Sequence, residues 1–239
     1  MRQSGKISAL ALKKAIENIK VGVSGLEVDE LVRKEVIKAG GDLSYKTVPG
    51  YKWASCITIN EQVVHGIPTE RKFEKGDLVS VDLASMYKGW HTDTAWSILI
   101  DGDDKEKKKF LEAGEQALWL GVDQAVDGNK IGDISHAIQT KIEAEGYKVV
   151  RSLVGHGVGR RLHEDPEVPG YGEKGEGVNL KSGMTLAIEV IYTMGTKDVV
   201  LQEDGWTFSS ADNSLAGLFE MTVIVGKDKA EVLTDWRRI

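Results

Sequence analysis

Apolar residues recur every three to four positions over about residues 6–20, 27–39, 104–126 and 133–145, which predicts four amphipathic helices. Apolar, β-branched runs over about 56–66, 77–86, 90–100, 148–154, 184–193 and 217–225 predict strands. The pattern repeats. At an offset of 106, Gly22, Glu27, Val28, Val32, Val36 and Gly40 fall on Gly128, Asp133, Ile134, Ile138, Ile142 and Gly146. Acids near the start and glycines just past the end suit helix termini in both copies. At an offset of 107, Gly76, Val79, Val81 and Asp82 fall on Gly183, Leu186, Ile188 and Glu189. Each half thus supplies helices and then antiparallel strands, and no Pro-rich or Ser-rich linker separates them. The chain is expected to form one α+β domain over 1–239, with pseudo-symmetric halves of about 1–125 and 126–239 sharing a sheet.

Acids interrupt this apolar pattern. The segment VDLASMYKGWHTDTAW, residues 81–96, reads as a β-hairpin turning at Tyr87, Lys88 and Gly89. Residues whose numbers sum to 175 would then face each other, opposing Asp82 and Asp93 with side chains about 5 Å apart. Two like charges so close call for a longer, offset turn or for a cation between them. The second half places Glu189 in TLAIEVIYTM and Glu220 in SLAGLFEMTVIVG, again in runs where an unpaired charge is costly to bury. SLVGHGVGRRLHEDP adds His156 and His163, and Gly155 and Gly157 allow backbone or ligand to approach His156 closely.

Composition narrows the function class. With 41% hydrophobic and 28% charged residues the chain can bury a sizeable core as a soluble globule. A net charge of −6 argues against a general nucleic-acid binder, and the basic run Lys105–Lys109 is flanked by acids and reads as a solvated helix face. The single cysteine, Cys56, excludes an internal disulfide framework and suits a reducing compartment. No run approaches 18 apolar residues, and the N-terminal pattern is an amphipathic helix without a signal-peptide core, so a cytoplasmic, unanchored protein is expected.

The order Asp82, Asp93, His156, Glu189, Glu220, with VVHGIP around His65, GHGVGRRLHEDP, the IEV strand, and DGWT followed by SLAGLFE, resembles the methionine aminopeptidases of the M24 metallopeptidases. The resemblance covers almost the whole chain and implies the pita-bread fold. Only 31 residues separate Glu189 from Glu220, so the insertion of the type II enzymes is absent and the chain is similar to type I. The family pattern implies that Asp82, Asp93, His156, Glu189 and Glu220 hold two divalent ions, with Asp93 and Glu220 bridging. Four carboxylates and two dications sum to zero charge. Co, Mn, Fe(II) and Zn all suit such donors, and the sequence does not choose among them.

The resemblance further implies that Glu189 accepts a proton from the attacking water, that His163 hydrogen-bonds the scissile carbonyl oxygen, and that His65 contacts the peptide nitrogen. Tyr51, Cys56 and Trp206 would surround the methionine side chain. The implied reaction is removal of N-terminal methionine from nascent chains with a small second residue, with the ribosome near its exit tunnel as a candidate docking partner. A monomer is expected. His91, although on the same strand face as Asp93, and His136 are not expected to bind metal. Val48 stands where an aromatic pocket residue is usual, Val190 where a proline follows the glutamate, and Met221 where a histidine follows the last ligand, which puts pocket shape and metal preference in question. Aminopeptidase P and prolidase share this pattern but normally add an N-terminal domain, whereas this chain is expected to begin at the catalytic-domain helix. A relative that has lost catalysis and serves as a binding module would be expected to lack some of the donors, and all five are present.

Overall fold

Two helices, α1 (Arg2–Asn18) and α2 (Gly25–Lys38), open the chain in a computed structural model that describes residues 1–239. Five strands follow: β1 (Asp42–Leu43), β2 (Ser55–Ile59), β3 (Gln62–Val64), β4 (Leu78–Tyr87) and β5 (Trp90–Leu99). A second helix pair, α3 (Lys105–Asp123) and α4 (Ile131–Ala144), precedes β6 (Lys148–Val149), β7 (Gly155–Gly157), β8 (Glu164–Val168) and β9 (Thr185–Thr193). The chain continues through β10 (Val199–Leu201), β11 (Phe208–Ser210), β12 (Ala216–Ile224) and β13 (Glu231–Val232). All four predicted helices are present, with ends shifted by at most four residues.

The aligned acids and glycines hold equivalent places in the two halves. Glu27 accepts the backbone N–H of Ser24 and Asp133 that of Lys130, each at 2.8 Å, so both act at helix starts. Gly40 and Gly146 take φ of +79° and +87° just past α2 and α4, the left-handed turn that ends a helix most cheaply at glycine.

The main sheet runs β1-β4-β5-β12-β9-β7-β8, with β2 also pairing with β4, β6 with β9 and β13 with β12, and β10-β11-β3 form a small second sheet. The halves meet at its centre, between β5 and β12. Only Glu220↔Ala95 and Met221↔Thr94 pair there, and side-chain hydroxyls continue the seam. Thr222 Oγ1 accepts Asp93 N–H at 2.9 Å and donates to Asp93 O at 2.8 Å, and Ser97 Oγ does the same for Leu218.

Strand alternation separates the two faces of the sheet. Val79, Val81 and Leu83 of β4, Leu186, Ile188 and Val190 of β9, and Phe219, Met221 and Val223 of β12 are buried in the large core with Leu12, Phe110 and Ile138 of the helices. Asp82, Glu189 and Glu220 therefore project from the other face. Val190 and Met221 lie in the helical core and line no part of the cavity above that face, so of the three departures only Val48 touches it.

The hairpin register differs from expectation. Its turn has two residues, Lys88 at φ +51° and Gly89 at φ +75°, and Tyr87 pairs with Trp90. Paired numbers sum to 177, so Asp82 faces Ala95 and Asp93 faces Ala84. The two acids share a face but are offset by one diagonal step instead of being directly opposed. The run 56–66 divides into β2 and β3 around Asn60 (φ +56°), and the run at 148–154 yields only the short β6, with β7 starting at Gly155.

Candidate metal centre

Five adjacent strands, β4, β5, β12, β9 and β7, each contribute one of the five predicted ligands. One row across the sheet reads Cys56, Asp82, Ala95, Glu220, Glu189 in successive pairings. The adjacent row includes Ala84 opposite Asp93, and Thr222 opposite Ala187, which in turn pairs with His156. Alanines lie opposite the donors, and above this face of the sheet opens a cavity of about 220 Å³ lined by all five donors. Gly155 and Gly157 flank His156 because a Cβ at either would lie 2.5 Å from Ala187 O or 2.3 Å from Asp165 O. What approaches them is backbone.

The cavity collects negative charge, and no lysine or arginine lines it. Asp93, His156 and Glu220 each bring a donor atom to within 4.8 Å of the others. His156 Nε2 lies 3.6 Å from Glu189 Oε1 and 4.0 Å from Asp93 Oδ2. Burial lowers the His156 pKa, so these approaches involve a neutral ring and are not ion pairs. Its Nδ1 lies 2.9 Å from Gly157 O, which can only accept, so the ring proton sits on Nδ1 and the Nε2 lone pair faces the acids.

Burial, then repulsion from Asp93, pushes Glu189 up to about 8. Burial likewise raises Asp93 to about 6, and burial followed by Asp93 raises Asp82 and Glu220 well above the carboxylate range. Glu220 Oε1 is buried without any hydrogen-bond partner. A fully buried acceptor left open, a correctly oriented neutral imidazole and four uncompensated carboxyl groups fit a site for hard divalent cations.

The remaining predicted residues surround this pole. Tyr51, Cys56 and Trp206 form one apolar end of the cavity. Tyr51 lies edge-on to Trp206 at 5.1 Å between centroids, and its hydroxyl is 3.2 Å from Cys56 Sγ. The turn carrying Trp206 is fixed by Asp204, whose Oδ1 accepts Trp206 and Thr207 N–H at 2.8 Å each. His163 sits at the mouth, its ring 4.5 Å from that of His156. His65 follows β3 at φ +57° and lies edge-on to Phe208 of the small sheet at 5.9 Å. His91 does not line the cavity: its Nδ1 is 2.6 Å from Ser44 Oγ. His136 is on the exposed side of α4, 3.4 Å from Thr140 Oγ1.

One polar wall residue escaped the sequence reading. Tyr45, buried in the 3-10 turn Ser44–Thr47, brings its hydroxyl to 2.5 Å from Asp82 Oδ1 and 3.3 Å from Asp93 Oδ1. The available signal was an aromatic three residues before Val48.

Comparison with known proteins places this geometry in a family context. The model of metallopeptidase family M24 matches residues 1–227. Methionine aminopeptidase 1 of Bacillus subtilis is 38% identical over 234 residues, covering 98% of this chain and 94% of that one. The crystal structure of methionine aminopeptidase from Thermotoga maritima superposes with a TM-score of 0.96 at 40% identity, covering 98% of this chain and 94% of that chain. Prolidase from Pyrococcus furiosus shares the fold alone, with a TM-score of 0.76 at 22% identity, and this chain covers 62% of it.

Proposed function

Because the chain belongs to the M24 metallopeptidases, among their methionine aminopeptidases, we propose that its acidic cavity binds two divalent cations and removes N-terminal methionine where the second residue is small. The observation that carries this reading is the convergence of five donors from five adjacent strands, with Glu220 Oε1 unpartnered, beside an apolar end floored by Cys56. Both halves of the chain supply donors, which supports treating residues 1–239 as one catalytic unit.

Asp82, Asp93, His156, Glu189 and Glu220 would hold the cations, which when bound supply Lewis acidity and an acidified water. The apolar end takes the methionine side chain, matching its thioether to Cys56, Tyr51 and Trp206. That seats the first peptide bond over the acidic pole. Glu189 is the proton acceptor, receiving a proton on its carboxylate and returning it to the leaving amine. His163, at the mouth, donates an N–H to the carbonyl oxygen as negative charge develops there. His65, presented by the small sheet, contacts the nitrogen on the departing side. A bulky second residue would have to enter between these two imidazoles, which supports a size limit.

A substrate of this kind supports a site of action where nascent chains emerge, in the cytoplasm at the ribosome. All donors come from one chain, which supports a monomer. Co-sedimentation with translating ribosomes and gel filtration test these two points. For the reaction, Met-Ala-Ser should be hydrolysed to Met and Ala-Ser, chelator should abolish turnover, and Gly-Pro should not be cleaved. Turnover of Met-Leu peptides equal to that of Met-Ala peptides would defeat the size rule, and cleavage of Gly-Pro alone would replace the methionine reading with a prolidase one.

A further inference from the structure

Tyr45 lines the cavity and touches two of its acids. Tyr45, in the 3-10 turn Ser44–Thr47, and Val48, just past its end, both line the cavity. The ring at 45 packs edge-on to Tyr51 at 5.7 Å. A phenylalanine would serve that purpose. The hydroxyl does more: a phenol donates one hydrogen bond, and here its nearest acceptor is Asp82 Oδ1, with Asp93 Oδ1 the next.

We propose that Tyr45 is a positioning residue for the cation ligands, its hydroxyl fixing the rotation of the Asp82 carboxylate and keeping Asp82 and Asp93 at their diagonal spacing. This rests on the reading that Asp82 and Asp93 are ligands. With Oδ1 engaged by the phenol, Asp82 Oδ2 is the oxygen left with both lone pairs for a cation. A phenol ordinarily keeps its proton at neutral pH, so the hydroxyl is available as an O–H donor. Outer partners of this kind, when removed, typically weaken metal binding 10–100-fold.

The test is Co(II) binding to the full chain, followed by titration calorimetry and by the visible absorption of the bound ion. Tyr45→Phe retains the ring and its edge contact with Tyr51 and loses only the hydroxyl. Affinity for at least one Co(II) should fall about 10–100-fold, and the visible spectrum should change as Asp82 gains rotational freedom. A ring serving only as packing would move neither. Binding and spectrum identical to the parent in folded Tyr45→Phe would overturn the proposal. Asp82→Asn separates the two levels: if it binds Co(II) like the parent, the ligand reading itself fails. If it loses binding while Tyr45→Phe does not, only the role of Tyr45 fails. Should Tyr45→Phe not fold, 3-fluorotyrosine introduced at position 45 alters the donor strength and leaves the ring in place. A shifted Co(II) affinity then supports the proposal, and an unshifted one overturns it.

Discussion

An acid projecting from an apolar strand must be paired, protonated or coordinated, and this rule made Asp82, Glu189 and Glu220 visible in the sequence. The same rule hid Tyr45, because a tyrosine in a hydrophobic context reads as ordinary core and its hydroxyl's partner is 37 positions away. The family pattern, for its part, drew attention to Val190 and Met221, which do not line the cavity. Both adjoin ligands in sequence, and the period of two turns them to the opposite face. His163 is a residue whose role can be separated from cation binding, since it stands at the mouth and lies outside the tightest donor cluster. His163→Ala should lower kcat by about 10²–10³ at full metal occupancy, the usual loss when one donor to a developing oxyanion is removed. Steady-state kinetics alongside metal analysis decides this, and parental kcat would remove His163 from the reaction.

Between residue and fold, the elements carry the site through register. The apolar period located the long helices and strands, and the repeat located the pseudo-symmetry, because both depend on side-chain spacing alone. The turn at Lys88–Gly89 depends on two consecutive positive φ values, and lysine gives little sign of one, so the expected register came out two residues from the observed one. β10 and β11, three residues each, are too short for a period to show, yet with β3 they present both His65 and the turn bearing Trp206. The offset has a structural consequence. Glu189 directly faces Glu220, whereas Asp82 faces Ala95, so the symmetry of the halves is broken where the donors meet. Ala95 pairs with both Asp82 and Glu220 and is fully buried between them. Ala95→Val would add two methyl groups at that point, within the buried cluster that includes Val64, Ile191 and Leu218. Overpacking should cost about 1–3 kcal/mol in denaturant unfolding, and divalent-ion affinity should fall with it. Unchanged ion affinity in calorimetry would mean that the packing at Ala95 does not shape the site.

At the scale of the whole molecule, the four raised carboxyl groups tie folding to pH and to cations. In the unfolded chain these groups titrate near 4. In the cation-free fold Glu189 sits at about 8, Asp93 at about 6, and Asp82 and Glu220 are also raised. Between roughly pH 4 and 8 the native state therefore binds more protons than the unfolded state, and this contribution to stability is lost as pH rises through that window. Divalent cations act in the opposite sense, because they bind the deprotonated acids and release their protons. In chelator, the melting temperature should decline from pH 5.5 to 8 relative to the same protein saturated with Mn(II), so that the gap between the two curves widens with pH. At a free ion concentration 100 times Kd, binding adds about 2.7 kcal/mol, or about 5–10 °C for a chain of this length. Replacing Glu220 by glutamine removes one raised group and one donor together, so the variant should show both a smaller gap and a flatter pH dependence. Parallel melting curves with and without Mn(II) across this range would mean that the acids are balanced by something other than cations, and the assignment of the cavity as a metal centre would fall with them.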